Sequence, residues 1–396
     1  MGLSFEQIKA AYEREAAAAA EVYTKDQIPM SWDFITPEWL TDILVVPGSA
    51  ARVTSHRLDE KDEGTASRRR IFLEYNDAGH AAGLPASVFG KSTQHLENRF
   101  IIGMNGGIEA EISFYQVVRP KLDIEAPVAL HARFDASSLN SIVIMRDMAG
   151  EVQFGEYSTP MTLELARSQM RVLSSVHAAY YESPELNTTL SPWNSWEDYF
   201  AITAKEAGFE QACQRGFAEA REVIPADLFS QQAKIWPATV DAIALHSKLP
   251  RMLVHSDVHL KNWYVAAPDR MGLTDWQCSC KGHWSRDLSY CISTALTVEQ
   301  RRAWERDLLS YYLELMAQKG VPAISFDDAW LCYRAQMFGA LAWWTGTLGQ
   351  PPEAPAMQPR AASLTFIERM ANATHDLDSL SAVALLKERL FGAGTR

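Results

Sequence analysis

The spacing of apolar and polar positions divides the chain into a strand-rich first part and a helix-rich second part. Ser4-Phe5-Glu6-Gln7 has capping-box spacing and opens an alanine-rich stretch through Ala16 to Ala20. That predicts a helix lying outside the main fold or strapped across it. A loop around Asp26 to Met30 follows, and Thr36-Pro37-Glu38 starts a second helix, with Thr36 as cap and Pro37 in the first turn. Trp39, Leu40, Ile43 and Leu44 form its apolar face. From about residue 50 to 147 the period shortens. Arg52 to Leu58, Ile71 to Tyr75, Ala86 to Gly90 and Ile142 to Met145 are expected strands, separated by turns such as Asn76-Asp77-Ala78-Gly79. A helical segment, Gly107 to Val118, interrupts them. Beyond Thr159 the pattern is helical except for two short apolar runs, Met252 to Val254 and Met271 to Thr274, with a polar loop between. There is no internal repeat. Gly349 to Pro359 is a proline-containing loop, either a lid or a mobile connection. The expectation is an α+β protein of two lobes: a helical extension over 1–35, a strand-rich lobe over 36–148 and a helical lobe over 149–396.

Composition narrows the class. The chain has 396 residues, enough for two or three domains or two lobes sharing one cleft. Hydrophobic residues at 47% and charged residues at 22% exclude general disorder. With 37 basic against 49 acidic side chains, the net charge of −12 argues against a nucleic-acid partner. It leaves room for a small phosphorylated ligand in a local basic pocket. Five cysteines are an odd, sparse set that fits reduced thiols in a cytoplasmic protein. Glu6, Glu13 and Glu15 stand where a signal peptide would need a positive flank and an apolar stretch. No run approaches the ~18–20 apolar residues of a membrane span. The chain reads as a cytoplasmic enzyme without membrane or nucleic-acid partners; its oligomeric state is open.

The chemistry concentrates between Arg251 and Leu288. A short apolar run leads into His255-Ser256-Asp257-Val258-His259-Leu260-Lys261-Asn262, and a second ends in Thr274-Asp275-Trp276. Phosphoryl transfer needs a carboxylate to orient and deprotonate an attacking hydroxyl, and two oxygen ligands for Mg²⁺. The asparagine five residues after Asp257 can turn back toward the same pocket, and Asp275 can face it from the adjacent strand. The short His-x-Asp pattern alone arises by chance; the flanking strands and second aspartate make it specific. Cys278-Ser279-Cys280 with His283 offers three soft ligands where structural zinc wants four. No G-x-S-x-G elbow or H-E-x-x-H helix supports the common hydrolase readings. His177, on an apolar helical face, reads as a satisfied core histidine.

His255 to Asn262 and Asp275-Trp276 resemble the H-G-D-x-H-x-x-N and I-D-W motifs of the aminoglycoside phosphotransferase and choline kinase superfamily, with its protein-kinase-like two-lobed fold. Gly282 to Leu288 is similar to that family's G-x-x-x-x-D-L stretch. Tyr311-Tyr312 and Trp343-Trp344 in the helical tail resemble its ecdysteroid-kinase-like branch. The resemblance implies a small antiparallel-sheet N-lobe, a large helical C-lobe, and ATP and Mg²⁺ as cofactors. It makes Asp257 the catalytic base and Asn262 and Asp275 Mg²⁺ ligands, with His255 and Asp287 bracing the loop. Ser256 replaces the usual glycine, and Leu260-Lys261 the frequent proline and glycine, which bears on loop shape more than on chemistry. The family's phosphate-gripping pair is matched by Lys91 and by Glu111 in Glu-x-x-Phe-Tyr, with Glu109 as second choice. Glu63 to Ser67 has one glycine where a phosphate-covering loop has several; its backbone and Ser67 would cover the phosphates. Backbone groups around Arg146 to Met148 would meet the adenine edge.

The acceptor implied is a small-molecule hydroxyl. In the family it sits against the helical lobe, here 184–250 and 325–360, where Trp193, Trp196, Tyr199, Phe200, Trp236, Trp330, Tyr333, Trp343 and Trp344 lie. Aromatic walls suit an apolar alcohol, phenol or steroid-like compound; the same residues also suit plain helix packing. An aminoglycoside, macrolide or choline-type acceptor is the alternative. From another class, a catalytically silent kinase-fold module or a metabolite sensor stays open.

Overall fold

The computed structural model describes residues 3–206, 208–351 and 357–392. Residues 352–356 of the proline-containing loop lie outside the described residues. The chain divides into two compact units, Met1–Lys121 with Ala126–Glu151, and Leu122–Glu125 with Val152–Arg396.

The first unit begins with α1 (Phe5–Ala17), whose Ser4 cap and Gln7 exchange both capping-box hydrogen bonds. Ile8 and Ala11 are buried, so the helix is docked into this unit. Thr36 caps α2 (Pro37–Leu44), with Trp39 and Leu40 fully buried. The strands β1 (Val53–Leu58), β2 (Asp62–Glu63), β3 (Ser67–Tyr75), β4 (Ser87–Ser92), β5 (Ala129–Asp135) and β6 (Asn140–Arg146) form one antiparallel sheet, ordered β1-β3-β4-β6-β5 with β2 beside β3. Strict alternation along β3 turns Ile71, Leu73 and Tyr75 toward Trp32, Trp39, Val88 and Ile144. Three short helices complete the unit: α3 (Asp77–Ala81), α4 (Leu96–Gly103) and α5 (Gly107–Ser113), the last running into a π-helical turn at Phe114–Val118. The 76–79 segment, expected as a turn, is an Asn76-capped start to α3, with the Gly79 amide donating to the Asn76 side chain at 3.0 Å. β5 escaped the pattern because it is half-exposed on both faces and does not alternate.

The second unit is helical. It contains β7 (Gln153–Phe154), α6 (Leu163–Ala179), α7 (Trp196–Glu206), α8 (Phe209–Glu219), α9 (Ala226–Phe229), α10 (Gln232–His246), β8 (Met252–Val254), β9 (Trp263–Ala267), β10 (Arg270–Leu273), β11 (Cys280–Gly282), α11 (Ser285–Ala295), α12 (Val298–Gln318), α13 (Phe326–Ala335), α14 (Met337–Leu348), α15 (Arg360–Asp376) and α16 (Ser379–Phe391). β10-β9-β7 and β11-β8 are small antiparallel sheets. β9 occupies part of the stretch expected to be a polar loop. Its Tyr264 ring lies over Gly272, where a Cβ would collide with the phenol. The α+β architecture, an antiparallel sheet in the first unit and helices in the second, is as expected. Among the described residues no helix is long and apolar enough to cross a membrane.

Candidate active site

In the second unit, β8 ends at Val254 and hands the chain to a loop whose shape is set from below. The amides of His255 and Ser256 both donate to the Asp287 carboxylate at 2.8 Å. Asp287 is fully buried in the first turn of α11, where the helix N-terminus favours a negative charge. His177 meets the same carboxylate through Nε2 at 3.1 Å and Tyr312 through Nδ1 at 2.8 Å. A carboxylate only accepts, so His177 carries its proton on Nε2 and takes the Tyr312 hydroxyl hydrogen on Nδ1. Burial pushes the Asp287 carboxyl up; the hydrogen bonds from the His177 ring and the His255 amide outweigh it and hold the group below the usual carboxylate range. Ser256 has φ 68°, the left-handed region in which glycine is at ease, which accounts for the glycine of the family motif. Here the conformation is held by Arg286, whose Nη2 donates to the Ser256 carbonyl at 2.8 Å.

His255 joins this loop to the next strand. Its Nδ1 accepts the Asp257 amide at 3.2 Å, so Nε2 carries the hydrogen donated to the Thr274 carbonyl at 2.8 Å. Burial lowers its pKa, in keeping with this neutral tautomer. The Thr274 amide in turn donates to the Asn262 carbonyl at 2.8 Å, and the Thr274 hydroxyl to the same oxygen at 2.9 Å. Two ties therefore bring the chain at Asp275 beside the loop that carries Asp257 and Asn262. Asp275 itself sits at φ 62°, ψ 64°, a strained conformation for a residue with a Cβ and one concentrated at functional sites.

Asp257 is engaged by both its neighbours and a distant helix. Asn262 Nδ2 donates to its backbone oxygen at 2.7 Å and to Oδ2 at 3.1 Å. His259 Nε2 lies 3.5 Å from Oδ2, and the Tyr290 hydroxyl donates to Oδ1 at 3.0 Å. Burial raises the carboxyl, but the hydrogen bonds of His259 and Tyr290 hold it far below the ordinary carboxylate range. With its amide nitrogen spent on Asp257, Asn262 keeps Oδ1 without a hydrogen bond among the described residues. Asn262 Oδ1 and the Asp275 carboxylate are hard oxygen donors, and two protein ligands with the rest from water and phosphate is the coordination Mg²⁺ favours. The site's chemistry fits that ion.

The first unit brings Lys91 and Glu111 together. β4 carries Lys91 between Arg68 on β3 and Val143 on β6, and α5 turns Glu111 to meet it, Nζ to Oε1 at 2.8 Å, with both side chains under a tenth exposed. Ser67 is a correction. It is fully buried, and its hydroxyl accepts from Trp32 Nε1 at 2.9 Å and donates to Glu63 at 3.0 Å. A committed hydroxyl in the sheet interior cannot cover a phosphate. The hairpin tip at Gly64 and Thr65 is pinned by Asn98, which donates to both carbonyls. The Arg146 amide donates to Val128 at 3.2 Å and its exposed guanidinium pairs with Glu151, while the Met148 carbonyl accepts from the Glu151 amide at 3.1 Å. Those two backbone groups are thereby taken up by the protein.

Residues outside the motif complete the site. Tyr290, three positions after Asp287 on α11, donates to Asp257, and Trp344 on α14 donates to the Tyr290 oxygen; helical spacing puts Tyr290 near Asp287, but nothing local signals its partner. Lys261 donates to Gln358 at 2.6 Å. Cys278 Sγ accepts from the Tyr199 hydroxyl at 3.3 Å, and His283 Nδ1 is 2.7 Å from Ser285 Oγ. Trp196, Tyr199, Phe200, Trp236 and Trp343 pack ring against ring, the first three buried in the core, with Arg286 on the Trp196 face. A cavity of about 460 Å³ opens between α8, α10 and α14, lined by Cys213, Phe217, Trp236, Pro237, Ala342 and Thr345; none of the motif residues reaches it.

No curated protein sequence matches the chain. Among solved structures, the chain is similar to an ethanolamine kinase from Plasmodium vivax, at 11% identity over 82% of each chain with a TM-score of 0.47. It is also similar to a choline kinase from Streptococcus pneumoniae, at 12% identity over 82% of this chain and 94% of that one with a TM-score of 0.45. A spectinomycin phosphotransferase in complex with ADP and spectinomycin matches at 15% identity over 83% and 94%, with a TM-score of 0.47. Residues 106–324 match the APH family, described as the phosphotransferase enzyme family, a span that takes in Glu111, the whole of the Asp257 loop, Asp275 and Asp287. That span is more than half of the chain: the chain belongs to the APH phosphotransferase enzyme family and is a small-molecule kinase.

Proposed function

We propose that the enzyme transfers the γ-phosphoryl group of ATP, with Mg²⁺, to a hydroxyl of an apolar or aromatic alcohol, a phenol or a steroid-like compound, as in the ecdysteroid-kinase-like branch of its family. Bound Mg·ATP supplies the phosphoryl group and neutralises charge on its oxygens. Asp257 orients the acceptor hydroxyl for in-line attack and takes its proton. Asn262 Oδ1 and the Asp275 carboxylate hold the ion, and Lys91, fixed by Glu111, grips phosphate oxygens. His255 and Asp287 keep the loop in shape without touching substrate. Met148 and Arg146 offer the adenine edge what backbone the protein leaves over. The observation that carries the reading is the Asn262 side chain, clamped to Asp257 by its nitrogen with its oxygen left for a ligand. In such a site catalysis is positioning and electrostatics, so a carboxylate held far below neutrality suffices as the accepting group. The five buried cysteines form no disulfide among the described residues, and we read them as thiols of a reducing cytoplasmic compartment.

The test is ADP release from Mg·ATP across phenolic and steroidal alcohols, aminoglycosides and choline. The reading expects turnover on an apolar hydroxyl and its loss in Asp275→Ala with folding intact. Turnover by Asp275→Ala near the wild-type rate refutes the metal assignment. Preference for aminoglycosides or choline moves the acceptor class, and ligand-induced stabilisation without turnover favours a silent module.

A further inference from the structure

The partners of the Asp257 carboxylate differ between its two oxygens. Oδ2 accepts from Asn262 and lies near His259, whereas among the described residues Oδ1 accepts from the Tyr290 hydroxyl alone. A carboxylate oxygen offers two lone-pair directions, so Oδ1 keeps one. The side chain as a whole retains 17% exposure, so the carboxylate is not sealed off by the protein.

Tyr290 is itself held on every side. It is 1% exposed, its ring faces the Arg286 guanidinium at 4.8 Å, and its oxygen accepts the Trp344 indole N–H at 2.8 Å. Trp344 in turn packs on Phe366 of α15, ring centroids 4.5 Å apart. An indole nitrogen only donates and a carboxylate only accepts, so the direction of the chain is forced: Trp344 N–H to Tyr290 oxygen, Tyr290 O–H to Asp257 Oδ1. Three elements, α14, α11 and the loop after β8, thus meet in a hydrogen-bond chain that ends on the reacting carboxylate. Packing alone does not require it, since phenylalanine fills almost the same volume as tyrosine.

We propose that Tyr290 is a positioning residue for phosphoryl transfer: with Trp344 aiming its hydroxyl, it fixes the plane of the Asp257 carboxyl so that the remaining lone pair of Oδ1 receives the acceptor hydroxyl. The proposal rests on the reading of Asp257 as the acceptor-orienting group. It is tested by comparing wild type, Tyr290→Phe and Trp344→Phe in three measurements: ADP release over a range of Mg·ATP concentrations, urea unfolding, and a crystal structure of Tyr290→Phe. Tyr290→Phe is expected to lower kcat about tenfold or more, as misplacement of a reacting group does. The KM for ATP should stay within about twofold, because nucleotide binding does not use this hydroxyl. The Asp257 carboxyl should be turned or split between two orientations in the crystal. Trp344→Phe, which leaves Tyr290 its own hydroxyl, should lose less. An unmoved carboxyl together with an unchanged kcat overturns the proposal, as does a rise in KM for ATP with kcat intact. Should the wild type release no ADP with any acceptor, the phosphotransfer reading falls, and the crystal structure of Tyr290→Phe decides alone on whether the hydroxyl positions the carboxyl.

Discussion

Asp287 touches no substrate in this account, yet the loop that carries Asp257 depends on it. Its two oxygens are spent on the amides of His255 and Ser256 and on His177, all buried. Asp287→Asn would set an amide N–H against donors and leave one of them unsatisfied. A loss of about 3 kcal/mol at neutral pH follows, read by urea unfolding. The sign with pH is fixed by the lowered carboxyl. Its contribution is complete above the unfolded value near 3.9 and is lost as the pH falls through the lower folded value. The gap between wild type and variant should persist down to about pH 4 and close below it; a gap that is absent at pH 7 contradicts the brace. At this scale the sequence is legible where chemistry fixes spacing. Asp257 and Asn262 lie in one loop and Asp275 just past the β9-β10 hairpin that follows it, and a reader of motifs finds them. The partners of Tyr290 and His177 are not legible, because they lie 33 and 110 residues away and nothing local marks them. Ser67 misled for the opposite reason. A serine after a glycine looks like a phosphate ligand until the pleat of β3 turns it inward.

Between elements, the strictest constraint is the approach of α8 to α14. A Cβ on Gly216 would collide with the Thr345 carbonyl oxygen and lie 2.9 Å from the Gly349 nitrogen, both of them backbone atoms that cannot rotate away. Gly216→Ala should therefore push the helices apart and cost about 3 kcal/mol, more than helix propensity returns. An unchanged urea midpoint would contradict this packing. In the first unit, α1 supplies Glu15 to Arg99, which is fully buried and pairs with it at 2.6 Å. Glu15→Gln leaves that guanidinium without its carboxylate and should cost about 2 kcal/mol, the glutamate being partly exposed; equal stability would mean that the backbone carbonyls around Arg99 suffice. Helices and inward-alternating strands follow from local pattern and caps, as at Ser4, Thr36 and Ile71 to Tyr75. β5 and β9 do not, since one is half-exposed along its length and the other begins directly after the Asp257 loop with an aromatic pair that reads as either state.

Across the whole chain, buried histidines set the response to acid. Burial drives His246 down to about 4 against the opposing charge of Glu197, and burial with the Arg133 charge takes His131 to about 4. Burial also lowers His255 and His283. These groups stay neutral in the fold and take up protons when it opens. The unfolded state thus binds more protons below about 6.5, and stability is lost as the pH falls from there toward 4. One such histidine is worth on the order of 3 kcal/mol over that window. The urea midpoint should fall steadily between pH 6.5 and 4.5 and stay flat from pH 7 to 8; a flat profile down to 5 would show the rings already charged or exposed. The central claim, however, is chemical, and ADP release from Mg·ATP by wild type and Asp257→Asn, with the acceptor the wild type prefers, tests it most directly. The account predicts acceptor-dependent release that drops about 10²–10⁴-fold in the variant while the urea midpoint holds. Release at the wild-type rate from a folded Asp257→Asn would contradict it.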